Sequence, residues 1–130
     1  KAFFRDGHPL GRLVETRQIL DAKAGDSKGA VWSRFIAELA PGTPIGGVVQ
    51  AAIISDYGNG LSRLTNPREW SFANMDISLH LVRRPVGEWL LVEADGLLQG
   101  RGVGLSNMML ADREGQFGRA HQSLFIDKIG

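Results

Sequence analysis

The segment from Pro44 to Leu61, PIGGVVQAAIISDYGNGL, constrains the fold most, because it predicts one helix within a sequence that otherwise has the pattern of β-strands. Thr43 is a favourable N-cap residue, and Pro44 suits the first helical position, where an N–H would have no partner. Gly58 and Gly60 form the stop signal. A helix that is apolar on every side must be enclosed by protein rather than lie on a surface. Its apolar residues are Ile45, Val48, Val49, Ala51, Ala52, Ile53, Ile54 and Tyr57.

Strand-like segments lie on both sides of this predicted helix. Before it, residues 12–20 alternate in polarity, and residues 31–39 form a second strand or, alternatively, a short helix. As a strand, the second segment has one face made of Val31, Ser33, Phe35 and Ala37. After the helix, strand patterns cover residues 70–82, 88–99, 101–112 and 118–128. This order predicts an α+β fold in which a curved antiparallel sheet wraps around one long central helix.

Composition limits the number of domains and the classes of partner. A chain of 130 residues forms one domain, residues 1–130, with residues 1–11 as an arm that leads into it. The net charge of +1 gives no general attraction to nucleic acid or to a membrane surface. The absence of cysteine excludes disulfides and Cys-based sites. With no signal peptide pattern and no apolar run of membrane-spanning length, we expect a cytoplasmic protein without nucleic-acid or membrane partners.

Four motifs in the second half of the chain carry a family resemblance. They are the segment FANMDISLHLVRRPVGEWLLVEA, the corner GVGLS, the DREG hairpin and the closing GRAHQSLF. Over residues 44–127 the chain resembles the C-terminal hotdog domain of the acyl-CoA thioesterase II family, whose members carry two hotdog domains in one polypeptide. The resemblance implies a single hotdog domain that is half of a functional unit. The chain then belongs to a longer protein or pairs with a copy of itself as a homodimer.

The resemblance also implies an activity, the hydrolysis of acyl-CoA thioesters by a water molecule that an Asp, a Ser or Thr, and a Gln surround. Asp76 matches the Asp, and Gln122 matches the Gln. The family hydroxyl belongs between Gly96 and Leu98, where this chain has none, and Ser106 lies further along. CoA is then the leaving group, so no cofactor is expected. No metal is expected either, because the three histidines lack metal-ligand spacing.

Asp76 is the best candidate for the general base, since thioester hydrolysis needs a carboxylate within hydrogen-bond reach of a water. The alternative is a solvated Asp on the polar face of a strand, which it shares with Asn74, Ser78 and His80. A triad of Asp76, Ser78 and His80 is improbable, because residues four apart on a strand are separated by roughly 13 Å. The opposite face consists of Ala73, Met75, Ile77, Leu79 and Leu81.

Gln122 interrupts an apolar face formed by Ala120, Leu124 and Ile126. A buried amide must find hydrogen-bond partners, so a Gln at this position indicates a role. That role is to position the water or, alternatively, to satisfy neighbouring backbone groups.

Five further residues are weaker candidates. Gly46 and Gly47 in the first helical turn would let a substrate approach free N–H groups as oxyanion donors, or they serve helix–sheet packing. Ser106 is a further candidate for substrate binding. Arg83 and Arg84 could contact CoA phosphates, although a solvated turn is the more usual fate of such residues.

Three functions follow from these residues. The first is an acyl-CoA thioesterase in which Asp76 activates the water and Gln122 positions it. The second is a non-catalytic hotdog that binds acyl thioesters or completes a partner hotdog. The third is a hotdog hydratase or dehydratase, for which His80 and His121 are the available histidines.

Overall fold

The computed structural model describes residues 7, 9–20, 27–57, 66, 68–98 and 102–129. A 3₁₀ turn at Pro9–Arg12 precedes the first strand, and another at Ser55–Tyr57 extends the helix. None of the helices in these ranges has the length and hydropathy to span a bilayer. The strands and helix are β1 (Val14–Leu20), β2 (Lys28–Phe35), β3 (Glu38–Ala40), β4 (Thr43–Pro44), α1 (Gly47–Ile54), β5 (Trp70–Leu81), β6 (Trp89–Leu98), β7 (Val103–Asp112) and β8 (Gly115–Lys128).

Six of the strands form one antiparallel sheet in the order β1-β2-β6-β7-β8-β5. The strand that follows the helix, β5, therefore pairs with the last strand of the chain and lies at the edge of the sheet. All six strands that the sequence predicts are present, and the alternative of a short helix over residues 31–39 is wrong. The α+β prediction of one helix against an antiparallel sheet is confirmed.

The core lies between helix α1 and one face of the sheet. Alternate residues of β6, β7 and β8 are buried on that face, as period-two alternation requires of a sheet covered on one side. The helix contributes Ala51 and Ile54, and the 3₁₀ turn contributes Tyr57. The sheet contributes Val31, Leu90, Val92, Ala94, Met108, Leu110, Phe117 and Ala120.

The helix begins three residues later than the sequence predicts. Thr43 and Pro44 belong to β4, which pairs with β3 across a turn at Gly42. Proline is tolerated in so short an edge strand, because no ladder hydrogen bond depends on its missing N–H. Gly46 is the N-cap residue, and its carbonyl accepts the N–H of Gln50 at 2.9 Å. The predicted stop at Gly58 and Gly60 lies outside the described residues.

The sheet covers one side of α1 only. Ala51 and Ile54 are fully buried, whereas Val48 is 43% exposed and Val49 is 44% exposed. The prediction that the helix is enclosed all round is therefore wrong for this chain alone, because a single sheet contacts a helix from one direction. The outer side of α1 thus carries exposed apolar side chains.

Ile54 tests the importance of the helix–sheet contact. We expect Ile54→Ala to lower the free energy of unfolding by about 3 kcal/mol, because it removes a fully buried side chain and leaves a cavity. The same substitution at Ile36, which is exposed, should cost less than about 1 kcal/mol. Urea denaturation of both variants measures the difference. Equal losses would contradict the described core.

Candidate active site

Two hydrogen bonds attach the end of the helix to the sheet. The side-chain amide of Gln122 on β8 donates from Nε2 to the carbonyl oxygen of Ser55 at 3.0 Å. Asn74 on β5 donates from Nδ2 to Oδ1 of Asp56 at 2.7 Å. The turn that follows α1 is thereby held over the last two strands of the sheet.

Gln122 is buried, with 1% of its surface exposed, between Ala120 and Leu124 on the helix-facing side of the sheet. The Ser55 carbonyl can only accept a hydrogen bond, so the amide must present its NH₂ group to it. The other amide atom, Oε1, then points away from this bond and has no partner in the described part of the chain. Gln122 thus satisfies a backbone group and retains an unused acceptor.

One row of directly paired residues across the strands, here called a rung, brings together residues that are far apart in the sequence. Gly96 on β6 is paired with Ser106 on β7, and Ser106 is paired with Gln122 on β8. Directly paired residues project to the same face of a sheet, here the face that packs against the helix. Ser106 is fully buried, and its Oγ, like Oε1 of Gln122, has no partner among the described residues. The rung ends at Ile77 on the edge strand.

Asp76 lies on the rung adjacent to that of Gln122, and its pairing with Ser123 places it on the face of the sheet opposite that of Gln122. The β5–β8 register shifts between Asn74 and Asp76, so that Asn74 pairs with Leu124 and Asp76 pairs with Ser123. The prediction that Asn74 and Asp76 share one face is wrong, because this bulge interrupts the alternation. Oδ1 of Asp76 accepts the backbone N–H of Ser123 at 2.9 Å, which holds the carboxylate close to the plane of the sheet.

Tyr57 adds a hydroxyl to the buried region below the helix. Burial raises the pKa of Tyr57 to about 12, the charge of Asp56 acts in the same direction, and a hydrogen bond with Ser33 opposes both. The hydroxyl therefore stays protonated at neutral pH and is unsuited to act as a base. Two carboxylates lie near these groups: Oδ1 of Asp56 accepts the Asn74 amide, and Oδ1 of Asp76 accepts the Ser123 N–H.

The comparisons with known proteins can now be set beside this geometry. The family described as acyl-CoA thioesterase C-terminal domain matches residues 3–126. The chain belongs to this family. No curated protein matches the chain significantly.

Solved structures with a similar fold include an acyl-CoA thioesterase II from Mycobacterium marinum, with a TM-score of 0.70 and 19% identity over 100% of this chain. A conserved hotdog protein of unknown function from Alicyclobacillus acidocaldarius has a TM-score of 0.73 and 15% identity over 98% of the chain. A thioesterase from Haemophilus influenzae has a TM-score of 0.65 and 14% identity over 95% of this chain and 85% of its own. The predicted hotdog fold is confirmed. The chain spans 57% of the Mycobacterium structure and 51% of the Alicyclobacillus structure, about half of each.

The two glycines at the start of α1 differ in their surroundings. A Cβ on Gly47 would come within 3.2 Å of the Pro85 carbonyl oxygen, so this glycine permits close packing of the helix against the segment between β5 and β6. Gly46 faces open space. The packing alternative explains Gly47, and a role in substrate binding stays a prediction for both residues.

The two histidines that the structure of this thioesterase-family domain describes, His80 and His121, lie on the face of the sheet opposite Gln122. His121 neighbours Gln122 on β8 but is exposed on the other face, where its Nδ1 lies 2.8 Å from Oδ1 of Asn107. The rings of His80 and His121 are 6.3 Å apart. The pair is thus separated by the sheet from the buried rung that contains Ser106 and Gln122.

Arg83 is held by an ion pair that sequence reasoning did not predict. Its guanidinium donates to both carboxylate oxygens of Asp112, at 2.7 and 2.8 Å, and to the carbonyl of Gly115 at 3.0 Å. This arrangement favours a structural role for Arg83, and Arg84 remains the more accessible candidate for a CoA phosphate. The hydrogen bond from Arg83 holds the pKa of Asp112 well below its usual range. Burial opposes that shift, and the backbone N–H groups of Val86 and Glu114 reinforce it.

Asp112 gives a test of stability against pH. The lowered pKa means that the ion pair stabilises the fold above the ordinary carboxyl value of about 4 and is lost as the pH falls further. We expect Asp112→Asn to lower the melting temperature at pH 7 by about 5 °C or more. The difference from the unaltered protein should shrink as the pH is lowered below about 4. Asp95→Asn, at an exposed carboxylate, serves as the control, and equal melting curves for both variants would contradict this role.

Proposed function

We propose that this chain is the hydrolytic domain of an acyl-CoA thioesterase, which converts acyl-CoA and water into a free acid and CoA. Membership of the acyl-CoA thioesterase C-terminal domain family supports the reaction class. The observation that carries the proposal is the arrangement of Gln122. Its amide is anchored on the Ser55 carbonyl with Oε1 unused, one rung from the carboxylate of Asp76.

In the proposed reaction, Asp76 is the general base and Gln122 orients the water. One oxygen of Asp76 accepts the Ser123 N–H, and the other is available to accept a proton from the water. Oε1 of Gln122 accepts the second proton in a hydrogen bond. The water oxygen attacks the thioester carbonyl carbon while its proton passes to Asp76. The C–S bond then breaks, the CoA sulfur takes up the proton, and the acid is released.

A second hotdog domain is the proposed partner. Strand β5 has an unpaired edge, and apolar residues next to it are exposed: Met75 at 55%, Ile77 at 42% and Phe125 at 53%. Val48 and Val49 on the helix are exposed as well. An exposed apolar sheet edge is a site for pairing with another strand. We propose that β5 pairs with its counterpart in a second copy of the chain, so that the substrate groove runs between two hotdogs.

A non-catalytic hotdog that binds acyl thioesters or completes its partner is the second candidate. The observation that favours it is the glycine at position 96, where the family resemblance implies a hydroxyl. Substrate binding without turnover is its distinguishing property.

The base role of Asp76 is tested by Asp76→Asn. We expect this variant to lower kcat for medium-chain acyl-CoA by at least about 100-fold, because an amide cannot accept the water proton. Release of free thiol, followed with a thiol reagent, measures turnover. Asp95→Asn on β6, which β7 and β8 separate from β5, provides the matched control, since it changes the net charge equally.

Full activity in Asp76→Asn would contradict the mechanism. Binding of acyl-CoA without turnover by the unaltered protein would favour the non-catalytic candidate. Circular dichroism of each variant establishes that the fold is intact.

The partner proposal is tested by Met75→Lys. The chain has a mass of 14.2 kDa, and we expect light scattering to give about twice that value for the unaltered protein. A charge on the β5 edge should shift the equilibrium to the monomer, because lysine is disfavoured where two sheet edges meet. Val103→Lys, at an equally exposed position on β7, should leave the assembly unchanged. Dissociation by both variants, or by neither, would contradict pairing through β5.

A further inference from the structure

We propose that Ser106 supplies the hydroxyl of the hydrolytic site in place of residue 96, and that Ser106 and Gln122 together hold the nucleophilic water. This inference rests on the proposed thioesterase function and deepens it. The family resemblance puts the hydroxyl between Gly96 and Leu98, on β6, where the chain has none. In this protein the hydroxyl has moved to the neighbouring strand.

The register of the sheet makes such an exchange possible. Gly96 and Ser106 are a directly opposed pair of β6 and β7. Paired residues have Cβ positions about 4.5–5.5 Å apart and project to the same face. A hydroxymethyl group on either strand therefore enters the same space, and glycine on the opposite strand leaves that space open. Serine at 106 opposite glycine at 96 therefore places a hydroxyl in the same space as serine at 96 opposite a small residue at 106 would.

The hydrogen-bond inventory points to a small polar occupant between Ser106 and Gln122. Both side chains are at least 99% buried, and both Oγ of Ser106 and Oε1 of Gln122 are without partners in the described ranges of the chain. Buried polar atoms are almost always hydrogen-bonded, to protein or to an ordered water. Two such atoms on adjacent, directly paired positions are suited to binding one water molecule between them.

The donors and acceptors around this water suit a nucleophile. The water donates one hydrogen to Oε1 of Gln122, whose orientation is set by the Ser55 carbonyl. Its second hydrogen is left for Asp76, whose carboxylate the Ser123 N–H holds close to the plane of the sheet between β8 and the edge strand β5. The Ser106 hydroxyl donates to one lone pair, which leaves the other lone pair to attack the thioester carbon. Ser106 forms no covalent bond with the substrate, so the proton and the C–S bond follow the course already described.

Packing alone is the competing explanation for Ser106. If the position required only a small side chain, alanine would serve equally well, and a buried hydroxyl without a partner would be unfavourable. The hydroxyl itself is therefore the group to test.

The test is a transfer of the hydroxyl from one strand to the other. We expect Ser106→Ala to lower kcat by about 100-fold while KM changes by less than about threefold, because the hydroxyl contacts the water and not the CoA moiety. The double variant Ser106→Ala/Gly96→Ser should recover at least about tenfold of the loss. Ser78→Ala, an exposed serine on β5, is the control for the substitution itself.

The outcomes separate this inference from the proposed function. Unchanged kcat in Ser106→Ala, with loss of activity in Asp76→Asn, would overturn the role of Ser106 and leave the thioesterase intact. A folded double variant without recovery would overturn the exchange between strands. No turnover by the unaltered protein would overturn both proposals.

A crystal structure of the unaltered protein gives a readout that does not depend on activity or on the folding of variants. We expect an ordered water within hydrogen-bond distance, about 2.7–3.2 Å, of both Ser106 Oγ and Gln122 Oε1. An empty space between these atoms, or a direct hydrogen bond that satisfies both, would overturn the inference.

Discussion

The hydrogen bond between the Gln122 amide and the Ser55 carbonyl is the interaction on which the candidate site depends. Both groups are buried, and each would be unfavourable there without the other. Their bond connects the end of the helix to the last strand of the sheet and sets the direction of the amide. Gln122 and Ser106, its directly paired neighbour on β7, project to the same face of the sheet. Packing of the helix and orientation of the site are therefore one feature of the fold.

The half-covered helix explains why the site belongs near the edge of the domain. One sheet buries Ala51 and Ile54 but leaves the opposite side of α1 open, and the edge strand β5 is equally uncovered. Asp76 lies on that strand, whereas Gln122 lies one strand further in. The proposed partner hotdog against β5 would cover this open side next to Asp76. The same apolar exposure thus links assembly to the proposed chemistry.

Much of the fold could be predicted from the sequence, because alternation and apolar periodicity are local properties. The strands and the burial of Gln122 within an apolar face followed from such patterns. The start of the helix could not be predicted in this way. Thr43 and Pro44 pair with β3 in a short hairpin, and this pairing overrides the helix-start signal that the two residues carry. The sequence also did not predict that Asn74 and Asp76 lie on different faces, since the bulge between them depends on how β5 fits against β8. The ion pair of Arg83 joins two distant corners and leaves no local signal.

By itself, the sequence determined the class of fold and the family, and it predicted Asp76 and Gln122 as site residues, since each of these inferences depends on residue types and their spacing along the chain. Only the tertiary structure decided that Gly96 and Ser106 face one another across β6 and β7, with Gln122 on the next strand. The register between strands depends on the geometry of the connecting corners and on packing against the helix, and neither can be read from the residues of a single strand. The Ser106 hydroxyl therefore lies directly opposite Gly96, which the sequence of neither strand reveals.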